Sequence, residues 1–284
     1  MPIYDQTYRK YDARGPLRSV RFWPITREAL RLLLAKKAFL ALWAACWLPF
    51  IGFVIYLWGV TQFAQAPQVA QMLPSGGQVF GRFFHFQILL VFILSTFGGA
   101  GLIANDLRTG GILVYLSRPL TRRDYVAGKL GVLLALNLSV TLVPALLLYL
   151  VALGLAPDRY LVWSLAWVPL AILAYSLTLS LSSSLLLLAI SALSRSARVA
   201  GLAFFGLIVA LDIVRGVVGA IYRWPGAILL SLQANVRAID NALFGIDERW
   251  FRIPWPYPAA VLTVLALACL LILRSRVRAV EIVK

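Results

Sequence analysis

Six long apolar runs alternate with shorter polar segments along the chain, at roughly 38–60, 83–104, 130–154, 163–193, 199–221 and 258–273. A helix that crosses a bilayer takes about 20 predominantly apolar residues. The sixth run is short and reaches the interface only with Tyr257 or Arg274, whereas the fourth is long enough to tilt or to project beyond the bilayer. The pattern predicts an all-α integral membrane protein with six transmembrane helices. No internal repeat or soluble domain is visible, so one membrane domain is expected over 38–273. A basic segment (1–37) precedes it and a short tail (274–284) follows.

The polar segments carry structure of their own. Residues 1–21 are polar and basic and read as extended or loosely ordered. Over 26–37 a helical wheel groups Arg27, Glu28 and Arg31 on one arc, with Leu30, Leu32, Leu33 and Leu34 covering much of the rest. That amphipathic pattern suits a helix lying in the membrane interface, with Thr26 as its expected N-cap and Glu28 in the first turn. The plainer alternative is a basic start to the first span. The connector 61–82 holds Pro67, Pro74, Gly76 and Gly77 and reads as turns. The longer 222–257 segment repeats Ile228, Leu229, Leu232, Val236 and Ile239 at helical spacing, near Arg237 and Asp240, and ends in an aromatic cluster from Trp250 to Tyr257. A short helical element dipping against the bilayer is expected there.

Between the second and third runs lies NDLRTGGILVYLSRPLTRRDYVAGK, residues 105–129. Residues 106–116 can form two to three helical turns with Gly110 and Gly111 as a weak point, and Pro119 stops whatever precedes it. Thr121 followed by Asp124 is a capping-box-like start for the third span. An ordinary loop has no use for apolar Leu107, Ile112, Leu113, Tyr115 and Leu116 beside Arg108, Arg118 and Arg122. That combination points to a surface on which a soluble partner docks, the alternative being a plain basic loop.

Composition confirms the class: 61% of residues are hydrophobic and mean hydropathy is +0.85, against the 45–50% apolar usage of soluble domains. Of the 27 Lys and Arg, 20 fall in segments 1–37, 105–129, 194–198 and the tail, 6 in the connectors between them, and Arg215 lies inside a span. By the positive-inside rule both termini are expected in the cytoplasm. The same bias accounts for the net charge of +16 as attraction to an anionic leaflet, and nucleic acid is not an expected partner. The start of the chain does not read as a signal peptide. Cys46 and Cys269 both fall within runs, without a disulfide or metal spacing.

Catalytic chemistry is not expected. There is no GxxxxGK[ST] phosphate loop, no CxxC or HExxH, and His85 is the single histidine, so neither a metal nor a cofactor is expected in this chain. Within the runs the only acid is Asp212, three residues before Arg215 and therefore on the same helix face. At 1.5 Å per residue from Val199 it lies about 20 Å along the span. The pair either lines a translocation path or pins subunits together, or is simply neutralised within itself. Asn137, Ser139 and Thr141 in the third run, and Ser176 to Ser184 in the fourth, let helices pack and hydrogen-bond across. A polar conduit through Asn137 is the other reading.

Asp106-x-x-x-Gly110-Gly111, then Leu116-Ser117-Arg118-Pro119-x-Thr121-Arg122 and Gly128-Lys129, resembles the cytoplasmic loop of ABC-2 type permeases. These are the membrane subunits of bacterial ATP-binding cassette transporters of the type V exporter architecture. Asp106 stands where Glu is commoner in that family, and Gly111 where Thr is commoner, which weakens the helix locally. The resemblance implies a coupling helix within 105–120, docked on a separate ATPase subunit that binds ATP and Mg. It further implies a second permease subunit, export of a substrate, and the plasma (inner) membrane of a prokaryote. Rival readings are a membrane anchor that recruits a soluble complex and an ATP-independent secondary transporter.

Overall fold

A computed structural model describes residues 22–63, 77–111, 121–155, 165–248 and 253–276. All regular structure among them is helical. The chain opens with α1 (Trp23–Leu34), α2 (Lys37–Ala45) and α3 (Leu48–Phe63). Next come α4 (Gln78–Gly99) and α5 (Gly101–Thr109), then α6 (Arg122–Leu155), α7 (Val168–Leu193) and α8 (Ala197–Tyr222). A 3-10 turn (Pro225–Leu230) leads into α9 (Leu232–Phe244), and α10 (Pro256–Arg276) closes the fold. Six stretches among the described residues are long and apolar enough to cross a membrane: α2–α3, α4–α5, α6, α7, α8 and α10. The six expected spans are therefore present, with the second starting earlier, at Gln78, and the third at Arg122.

Helix α1 is separate from the first span, because Lys36 adopts an extended conformation (φ −84°, ψ 114°) that breaks the chain direction. Its expected N-cap is corrected. The helix starts three residues before Thr26, at Trp23, with Phe22 in the N-cap position. Pro24 holds a helical φ without needing an N–H there. Thr26 is instead buried, and its hydroxyl donates to the Gly128 carbonyl of α6 at 2.9 Å. This seat depends on small residues: a Cβ at Gly128 would lie 3.0 Å from Ile25 Cβ and 3.2 Å from the Phe22 carbonyl, and one at Gly131 would lie 3.0 Å from Thr26 Oγ1. Arg27, Glu28 and Arg31 stay exposed, as their shared arc predicts.

The centre of the bundle is α7, packed on α4, α6 and α10, with Phe84, Phe92, Val140, Leu133, Tyr175 and Leu187 fully buried around it. Helices α3 and α8 turn most of their apolar surface outward. The 222–257 segment departs from expectation. Its helix does not merely lie against the bilayer; α9 packs among α4, α7, α8 and α10 and carries Val236 and Phe244 into the core. Ser231 caps it, its hydroxyl accepting from Ala234 N at 3.3 Å. Asp240 comes with it, so an acid outside the six apolar runs is enclosed by the bundle.

Gly128→Leu is expected to push α1 off α6 while leaving the spans intact. Limited trypsin digestion of the purified protein checks this, with Arg27 and Arg31 becoming cleavable in the variant and protected in the wild type.

Candidate functional site

In lipid a polar side chain has to find its partner inside the protein, and the spans are joined by a series of such contacts. Pro144 lies inside α6 and has no N–H, so the Val140 carbonyl one turn earlier loses its helical donor. Gln87 of α4 donates Nε2 to that carbonyl and, at 3.0 Å, to the Cys46 carbonyl where α2 gives way to α3. One amide thereby closes two interrupted helices. Asn137 is fully buried between α4, α6 and α7. It accepts from Ser95 Oγ at 3.0 Å and donates to Ser183 and Ser184 at 3.4 and 3.3 Å. These bonds make Asn137 a junction of three helices.

A third contact shapes the second span. Ser191 of α7 inserts its hydroxyl into the backbone ladder between α4 and α5. It donates to the Ala100 carbonyl at 2.8 Å and accepts from Ile103 N and Ala104 N at 3.3 and 3.0 Å. A side chain set into the ladder in this way is a recognised cause of a helix break. Gly99, just before it, lets α4 close on Leu133 and Leu187; a Cβ there would meet Leu133 Cδ2 at 2.7 Å.

Downstream of that break α5 carries the start of the 105–129 segment. Asp106 turns back toward α6, where its Oδ2 lies 2.7 Å from Lys129 Nζ and accepts from the Tyr125 hydroxyl at 2.7 Å. The Lys129 side chain is 6% exposed and that of Asp106 20%. Lys129 also stands over the Tyr125 ring, 5.4 Å from its centre. Both stems of the segment are thus clamped together. Leu107 packs against the core while Arg108 is exposed. Helix α5 ends at Thr109 with Gly110 left-handed (φ 70°), a conformation that glycine adopts without strain. The capping box is present: Thr121 N and Oγ1 donate to Asp124 Oδ2 at 3.0 and 2.8 Å, and Asp124 N donates to Thr121 Oγ1 at 3.2 Å. Arg122 begins α6 and is exposed. Ile112, Leu113, Tyr115, Leu116, Arg118 and Pro119 lie outside the described residues.

Asp212 and Arg215 pair on α8 at 2.8 Å, their side chains 34% and 29% exposed. Ser231 Oγ donates to the same Asp212 oxygen at 3.0 Å, so the pair also ties α8 to the first residue of the α9 cap. Asn137 lies on the interior junction and Asp212 with Arg215 on the half-exposed α8 face, so the structure does not bring these three together. Sequence patterns did not single out Tyr125, Gln87 or Ser191. A glutamine in the same bundle as a mid-span proline was the available signal for Gln87. Tyr125 and Ser191 carried none, since an amphipathic aromatic and a small hydroxyl occur throughout such helices.

Removing Lys129 alone (Lys129→Met) strands a partly buried carboxylate, and a loss of about 3 kcal/mol is expected. Adding Asp106→Asn to that variant is expected to recover most of it. Thermal unfolding of the two single variants and the double variant in one detergent measures this coupling.

Residues 23–223 match the family model described as ABC-2 family transporter protein. No curated protein matches the chain significantly. The match runs from the start of α1 to the residue after α8, through every span but the last, and includes the Asp106 clamp. The chain belongs to the ABC-2 transporter family, as a membrane-embedded permease subunit.

Proposed function

We propose that the 105–123 segment is the docking point for a separate ATP-hydrolysing subunit on the cytoplasmic side, and that the complex exports its substrate. The observation that supports this most directly is the Asp106–Lys129–Tyr125 clamp. A surface that receives a push has to be rigidly joined to what it moves. Here the end of the second span and the start of the third are locked across a 2.7 Å ion pair, and α1 is seated on the same stretch of α6 through Thr26. A load on the segment is therefore carried into α4–α5 and α6 together instead of being lost in a flexible loop.

In this reading, closure of two partner ATPase subunits on each other presses the apolar residues Leu107, Ile112, Leu113, Tyr115 and Leu116. Arg118, Pro119 and Arg122 follow them in the sequence and complete the proposed docking segment. Exposed pairs between these arginines and partner acids contribute only about 0–1 kcal/mol each, so apolar burial supplies most of the affinity. ATP and Mg belong to the partner subunit, because this chain has no phosphate loop. A second permease subunit completes the path. The outward apolar surface of α8, with Leu202, Ile213, Val217 and Ile221 exposed, is available to it or to lipid. Both termini, α1 and the Arg195, Arg198 and Arg274 ends of the spans then lie on the cytoplasmic side of a prokaryotic plasma membrane.

Affinity purification of the tagged chain in mild detergent is expected to bring down a stoichiometric subunit bearing a GxxxxGK[ST] loop, with vanadate-sensitive hydrolysis. Leu113→Asp together with Tyr115→Asp is expected to abolish that co-purification without loss of the folded membrane chain. Undiminished recovery of the ATPase with the double variant would sink the docking assignment.

A further inference from the structure

The face of the bundle opposite the Asp106 clamp holds a carboxyl group whose environment has no role in the coupling scheme above. Asp240, on α9, is 1% exposed, and its Oδ1 has no hydrogen-bond partner. Gly81 of α4 faces it, where a Cβ would come within 3.5 Å of that oxygen and 3.3 Å of Phe244 Cβ, and Phe244 belongs to an aromatic cluster. Phe84 stacks with Tyr175 at 4.5 Å and with Phe244 at 5.8 Å.

Charge in this neighbourhood does not balance on Asp240. The cation on its own helix, Arg237, holds Glu248 at 2.7 Å, and Asn241 donates to the other oxygen of Glu248 at 3.5 Å. One guanidinium thus serves a different acid. Among the described residues, the remaining neighbours do not supply a second cation. Helix α4 contributes His85, within reach of both Arg237 and Glu248, and Arg82, which is exposed. From α7 comes the Tyr175 hydroxyl, buried, unpartnered and electrostatically coupled to Asp240. Asp212 and Arg215 of α8 neutralise each other. The 3-10 turn has no ionisable side chain, and α10 carries the exposed Tyr257 at its start and Arg274 and Arg276 at its far end. Asp247, in the linker beside Glu248, is another acid and exposed.

A buried carboxylate with an oxygen that no donor reaches is costly, and such a group neutralises itself by taking a proton. We propose that Asp240 is a proton-binding site that latches α9 into the bundle: with α9 seated the carboxyl carries a proton, and when α9 lifts into water the carboxyl ionises and the proton passes to the solution on that side of the membrane. Burial pushes the Asp240 carboxyl well above the usual carboxylate range; Arg237 draws it back, and Glu248 raises it further. The device makes the seated position of α9 more stable as that side becomes more acidic. It does not depend on the identity of the ATPase partner or on the direction of transport.

The sign follows from linkage. The seated protein binds the Asp240 proton more tightly than the unfolded chain, whose Asp pKa is about 3.9. Stability conferred by the proton is therefore full below about pH 4 and is lost as pH rises toward the value at which the seated carboxyl ionises. The test is thermal unfolding of the full chain in lipid nanodiscs from pH 5 to 8, for wild type, Asp240→Asn and Glu248→Gln. The wild-type midpoint is expected to fall by roughly 3 °C per pH unit relative to Asp240→Asn, a difference that cancels contributions from His85 and Glu248. Glu248→Gln frees Arg237 to engage Asp240 and is expected to flatten the wild-type slope. Parallel profiles for wild type and Asp240→Asn would overturn the proposal. Should Asp240→Asn fail to fold, an unchanged slope in Glu248→Gln would overturn it equally.

Discussion

Lipid supplies no hydrogen-bond donors, and the bundle is organised around that constraint. Most places where the helical ladder is interrupted are answered by a polar group of another element, and these answers help decide which helices touch. Gln87 reaches the carbonyl that Pro144 leaves open and so fixes α4 against α6. Ser191 enters the gap between α4 and α5 and fixes α7 against the second span. Asn137 collects hydroxyls from two other helices. The apolar side chains that fill the remaining space are as content against lipid as against each other, so polar satisfaction and close approach at glycines supply the specificity.

The same constraint orders the two ends of the molecule differently. At the Asp106 end the charges are paired and partly hydrated, and the result is a stiff joint: an ion pair, a tyrosine hydroxyl and a capping box all bear on the first two turns of α6, with α1 laid across the same stretch. At the α9 end the Arg237 guanidinium is engaged by Glu248, and Asp240 is buried with its Oδ1 unpartnered. A stiff joint transmits displacement; a buried carboxyl without a hydrogen-bond partner makes the position of its helix sensitive to protonation. In the proposed reading, one end of the permease receives force and the seating of the other responds to protonation.

Element identity in this family member follows from local physics, since an apolar run of the right length has few alternatives to a membrane helix. The interfacial helix shows the limit of that reasoning. Its amphipathic arc was legible, and Arg27, Glu28 and Arg31 are exposed together. Its start was misplaced because Thr26 reads as a cap when seen alone and is in fact a bond to Gly128, 102 residues away. Asp106 was legible as a distinctive position in a loop motif, yet its side chain is turned inward to Lys129.

Hydrophobic periodicity and charge distribution, both properties of short windows, determined by themselves that this chain has six membrane-spanning helices and that Thr121 and Asp124 begin a helix together. Tertiary structure alone decided that α9 enters the bundle and does not rest on its surface, that Gln87 serves Pro144, and that Asp240 is buried while Arg237 pairs with Glu248. Those outcomes depend on which helix faces which across separations of tens to hundreds of residues. Partners in a low-dielectric interior are chosen by three-dimensional proximity, and no local pattern encodes it.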